Sequence, residues 1–150
     1  MDKILKLLWL ISFVIVNITL FYVYAGLPEM VAYTGDEMGS LEYIGKELFF
    51  YFFLIVIGVI NIVLYILIKR GLANKQVSTR KAEKIAGWKY GLSLVINIFL
   101  SISMAFISIF NSGEKFDYSN FGYLVYFSLG LVILWIISFP FVIYSARVKV

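Results

Sequence analysis

The chain has 150 residues, of which 62% are hydrophobic, 19% aromatic and 15% charged, with a formal net charge of +4. A soluble domain usually carries about 25% charged residues, so the composition points to a membrane protein and not to a large soluble core. Cysteine and histidine are both absent. That excludes a disulfide framework, thiolate chemistry, and the commonest metal ligand and near-neutral proton carrier.

The first apolar block runs from Leu5 to Tyr24 and has no charge after Lys6. About 20 apolar residues cross a hydrocarbon core of about 30 Å. In lipid an isolated run satisfies its own backbone groups only as a helix, so the block predicts a transmembrane helix over 5–24. Lys3 and Lys6, followed by Val23-Tyr24-Ala25, also outline a signal peptide. The apolar core exceeds the roughly 7–15 residues of a cleaved signal, and we read a retained helix.

Residues 25–47 form a polar loop. Leu27-Pro28 is expected to end the first helix, because the residue before proline is pushed out of the α region. Gly35, Gly39 and Gly45 permit turns with positive φ. The carboxylates of Glu29, Asp36, Glu37 and Glu42 do not have the spacing of a calcium loop and are expected to be a solvated surface. Leu27, Pro28, Val31, Gly39, Glu42, Gly45 and Lys46 stand close to the register of a known pattern. With them the chain resembles the amino-terminal domain of unknown function found in SdpI-type immunity proteins. The resemblance covers residues 5–68 and implies an immunity or envelope-sensing role, with the loop meeting a peptide or envelope component. That family commonly has a histidine in mid-loop, where this chain has Thr34.

The second block, 48–68, predicts another helix. It leads into a basic segment, 69–89, containing Lys69, Arg70, Lys75, Arg80, Lys81, Lys84 and Lys89. Such a segment is a topology signal resting on anionic headgroups; the sharper reading is a dedicated anionic-lipid or nucleic-acid contact. We expect the lipid contact, through Lys69, Arg70, Lys75, Arg80, Lys81 and Lys84, and no nucleic acid. Ser78-Thr79 followed by Glu83 suggests a short amphipathic helix with Ala82, Ile85 and Ala86 turned to the membrane.

The third block, 90–110, places Ser93, Asn97, Ser101 and Ala105 at successive steps of four, a small polar stripe on one helix face. Small residues let helix backbones approach, and Ser or Asn hydrogen-bonds across. Asn17 and Asn61 lie at comparable depths and are the expected partners. A ligand-binding or conducting stripe is the alternative. After the short loop 111–120, the fourth block, 121–144, contains Pro140, which is expected to kink or end the helix. Ser12–Asn17 and Ser93–Asn97 resemble each other faintly, as two hairpins of like orientation would.

Eleven of the 13 basic residues fall in the termini and the 69–89 segment. The positive-inside rule then places both termini and that segment in the cytoplasm, with loops 25–47 and 111–120 outside. Tyr22, Tyr24, Phe49, Phe50 and Tyr51 are expected to form the outer aromatic belt, and Trp9 and Trp88 the inner one. The expectation is an all-α, four-transmembrane-helix bundle, one membrane domain over 1–150, in a bacterial inner or plasma membrane.

No ionisable residue lies mid-span, as intramembrane catalysis or ion transport would require. No nucleophile–base pair or phosphate-binding glycine loop is present. We therefore expect no enzyme, no cofactor and no metal site. Three roles remain: an accessory subunit that binds other membrane proteins or itself, an immunity or sensing protein, and a small oligomeric transporter or channel.

Overall fold

The computed structural model describes residues 2–35, 41–73, 79–112 and 118–147. Gly39 and Lys75, with Asp36, Glu37 and Ser78, lie outside the described residues. The elements run α1 (Asp2–Gly26), β1 (Met30–Gly35), β2 (Leu41–Gly45), α2 (Lys46–Ala73), α3 (Thr79–Phe110), α4 (Tyr118–Ile137) and α5 (Phe139–Arg147). Four stretches, Lys3–Gly26, Lys46–Ala73, Arg80–Phe110 and Phe121–Ser145, are helical, long and apolar enough to cross a membrane. They fit a multi-pass membrane protein.

Each of the first three helices buries a stripe at three- and four-residue spacing, the period that keeps side chains on one helix face. On α1 it is Ser12, Val16, Leu20 and Val23; on α2, Phe49, Phe53, Ile57 and Asn61; on α3, Ser93, Asn97, Leu100 and Met104. The apolar members of these stripes meet in one core at the hairpin end, which also takes in Leu27 and Val31. A second cluster at the other end joins Ile68, Ala86 and Tyr90, with Leu5 and Trp9 against them.

The bundle is not closed. Helix α3 packs against α1, α2, α4 and α5, whereas among the described residues α4 packs only on α3 and α5. The consequence is a core of three helices with α4 laid on the outside of α3, and a groove where α4 fails to reach α1.

Several expectations are corrected. The fold is not purely helical: the loop after α1 carries an antiparallel hairpin with Val31 opposite Ile44 and a register shift between Ala32 and Thr34. Gly45 ends β2 without a left-handed φ, so no positive-φ turn is needed there. The segment 69–89 is largely helix, because α2 continues through Lys69 and Arg70 and α3 starts at Thr79. Ala82 and Ala86 face inward, buried beside α2, and not toward lipid. Their small size lets the two helices close on each other. Phe49 belongs to the core and not to an aromatic belt.

Helix α1 ends at Gly26, just before Leu27-Pro28, as the proline rule expects. The fourth span breaks at Ser138, whose N–H is shared between Leu134 O (3.0 Å) and Trp135 O (3.2 Å). Pro140 has no N–H to continue the ladder, so α5 sets off as a separate helix.

Candidate functional site

Between the two apolar clusters lies one polar layer. Asn61 on α2 and Asn97 on α3 exchange hydrogen bonds through their side-chain amides, Asn61 Nδ2 to Asn97 Oδ1 at 2.9 Å and Asn97 Nδ2 to Asn61 Oδ1 at 3.2 Å. Asn61 Oδ1 also accepts from Trp9 Nε1 at 2.9 Å and from Ser93 Oγ at 2.8 Å. The second N–H of Asn61 goes to Ile57 O, and that of Asn97 to Ser12 Oγ at 3.1 Å. Ser12 Oγ in turn donates to Trp9 O. Ser12, Asn61, Ser93 and Asn97 are all buried, and all four N–H bonds of the two amides are used.

The stripe residues divide accordingly. Ser93 and Asn97 enter the layer, while Ser101 donates to Asn97 O within its own helix and Ala105 is half-buried on the same helix. Asn61 is where its depth placed it. Asn17 is not in the layer: its amide donates to Phe13 O of α1 at 2.7 Å. Ser12 and Trp9 supply the α1 contribution instead. Trp9 departs from the expected inner belt: its indole N–H is spent inside the protein, with the ring stacked on Tyr65 at 6.0 Å and tilted on Tyr90.

The layer is neutral. Amides, hydroxyls and an indole do not exchange protons near neutrality, so it holds helices and carries no proton. In a bilayer this matters, because lipid is as apolar as leucine and interhelical hydrogen bonds and close packing must supply what the hydrophobic effect does in water. A crevice of about 280 Å³ between α1 and α3 reaches Ser12, Asn97 and Ser101, with walls otherwise of Leu and Ile.

A second polar junction fixes the hairpin. Asn111, just past α3, accepts from Ala32 N through Oδ1 and donates to Ala32 O through Nδ2, both at 2.8 Å. Its amide thus stands in for a third strand on the edge of β1. Nothing in the sequence singled it out, since an Asn in a polar loop ordinarily faces water. Replacing it with Asp keeps the acceptor, loses the donor and sets two oxygens against each other. Asn111→Asp is expected to cost the hairpin about 1–3 kcal/mol, read as faster amide exchange at Ala32.

The loop residues of the immunity-protein pattern have local structural roles. Leu27 and Val31 are buried under the hairpin. Pro28 is exposed at the α1–β1 junction. Lys46 N closes the hairpin base on Glu29 O at 2.9 Å, and its ammonium lies over the Tyr24 ring at 4.9 Å. Glu42 accepts from Tyr33 Oη at 2.7 Å. That hydrogen bond, then slight burial and the nearby negative charge, raises the Tyr33 phenol above its usual range. Its contribution is therefore present at neutral pH and is lost as alkali ionises the raised phenol.

At the opposite end, Lys69, Arg70 and Arg80 are exposed and Lys81 and Lys84 half-exposed. Lys84 Nζ donates to Ser145 O at 2.9 Å, tying α3 to α5. Trp88 and Trp135 form a reciprocal pair: Trp88 Nε1 donates to Trp135 O (3.1 Å) and to Ser138 Oγ (3.0 Å), and Trp135 Nε1 to Trp88 O (3.0 Å). The Trp88 N–H is thus spent in protein contacts and not at a headgroup belt.

No family model matches the chain, and neither a curated protein nor a solved structure matches it.

Proposed function

We propose that the chain is a non-enzymatic accessory subunit of a bacterial inner or plasma membrane assembly, with both termini and the basic end in the cytoplasm and the hairpin outside. The observation that carries this reading is the polar layer. Its amide N–H groups bond within the protein, and it offers no ionisable group to a substrate or ion. Large aromatic and aliphatic side chains on α4, Tyr123, Tyr126 and Phe127 among them, face outward, as suits contact with lipid and neighbouring helices. The distribution of lysine and arginine supports the orientation.

Purification in a mild detergent is expected to bring down a membrane protein in fixed stoichiometry. A chain that purifies alone, and conducts ions in liposomes in a manner abolished by Asn97→Leu, would overturn the reading. The SdpI-type role is the second reading, favoured by a hairpin that shows Tyr33, Glu42 and Tyr43 to solvent on a strand clamped by Asn111. Under it, deletion sensitises cells to a secreted toxic peptide, and no partner is needed.

A further inference from the structure

The gap between α1 and the α4–α5 break is a groove of about 680 Å³, within the roughly 300–1,000 Å³ of ordinary ligand sites. Gly87 and Val95 of α3 line it, together with Leu131 and Leu134 of α4, Leu5 of α1 and Val142 of α5. The charged group lies at one end, where Lys84 bonds Ser145, with Ser138 a turn further in beside Trp88. From Lys84 to Val95 the groove follows α3 for about 16 Å at 1.5 Å per residue. That is about half of a 30 Å hydrocarbon core, the depth of one leaflet.

We propose that this groove binds an anionic phospholipid, one acyl chain lying along α3 and the phosphate meeting the Lys84 ammonium. The charge at the mouth favours an anion. Lys84 hydrogen-bonds the neutral Ser145, no carboxylate lines the groove, and Arg80 and Lys81 stand one turn away, opposed in this segment by the exposed Glu83 alone. The shape favours a chain over a flat contact, because Gly87 leaves the floor open and the Trp88–Trp135 pair fixes one wall. This goes beyond a basic surface resting on headgroups, since it requires one lysine out of several.

Tryptophan fluorescence tests it. The chain has three tryptophans, two of which line the groove. The intact protein is reconstituted in neutral phosphatidylcholine vesicles doped with phosphatidylglycerol brominated on its acyl chains, or with equally brominated phosphatidylcholine. Symmetric vesicles make the readout independent of orientation. The anionic lipid is expected to quench at about fivefold lower mole fraction, the equivalent of about 1 kcal/mol for one lysine near anionic headgroups. Lys84→Gln abolishes that preference, whereas Lys81→Gln, which removes the same charge outside the groove, keeps most of it. Equal quenching by the two lipids in the wild type overturns the proposal without any variant, and so does an equal loss of preference in both variants.

Discussion

Replacing Asn61 with leucine is expected to destabilise the bundle by about 2 kcal/mol, the largest effect of any single polar substitution in the spans. Leucine keeps the branching of asparagine but is bulkier, so some overpacking adds to the loss of the hydrogen bonds. Trp9, Ser93 and Asn97 all lose their acceptor on Asn61, and Asn97 Oδ1 loses its donor. Each such contact within a membrane averages about 0.6 kcal/mol, and four share one hub. Reversible unfolding in mixed detergent and SDS micelles measures the loss. Trp9 emission should shift in the still-folded variant as its indole N–H is freed. Asn17→Leu is the contrast: its amide reaches Phe13 O of its own helix, so its removal should cost less than about 0.5 kcal/mol. Equal effects at the two asparagines would mean that the polar layer does not hold the helices together.

That contrast also marks where the sequence was readable. Four apolar runs were plain from length alone, because a span of lipid imposes a minimum that few soluble helices meet. Depth along the helix correctly paired Asn61 with Asn97. Depth does not fix rotation, and there Asn17 fails. The buried line on α1 runs Ser12, Val16, Leu20, and Asn17 sits one residue, about 100°, off it. Trp9 lies three residues before Ser12 and so shares its face, a spacing that points inward as strongly as an indole points to the interface.

The helix ends were harder to read. Ala82, Ile85 and Ala86 mark one face of a short helix in the sequence, but the charges around them suggest a membrane surface, whereas the structure turns Ala82 and Ala86 onto α2. The hairpin was illegible for a different reason. Its short strands mix apolar and polar residues without clean alternation, and its edge is satisfied by Asn111, 79 positions from Ala32.

Because α3 runs unbroken from Thr79 through the third apolar block, it also carries the motif behind the second large effect. Gly87 and Gly91 form a G-x-x-x-G pair on α3, the arrangement that lets helices approach closely. At Gly91 the neighbour is the Trp135 indole. A Cβ there would stand 2.1 Å from Cζ2 and 2.8 Å from Cε2, well inside van der Waals contact. An indole free to swing would yield cheaply; this one is anchored by its N–H to Trp88 O. Giving way therefore breaks that bond, at about 1 kcal/mol, on top of about 1–3 kcal/mol of overpacking. Against this stands at most about 1 kcal/mol from the better helix propensity of alanine, so the clash wins. Gly91→Ala is expected to loosen α4 and α5 from α3, seen as protease sensitivity near Ser138 and a fall in unfolding midpoint. Trp135→Leu in the same chain removes the obstacle, and the double variant should be more stable than the sum of the single losses predicts. Simple additivity of the two would show that α4 is held to α3 by something other than this glycine–tryptophan contact.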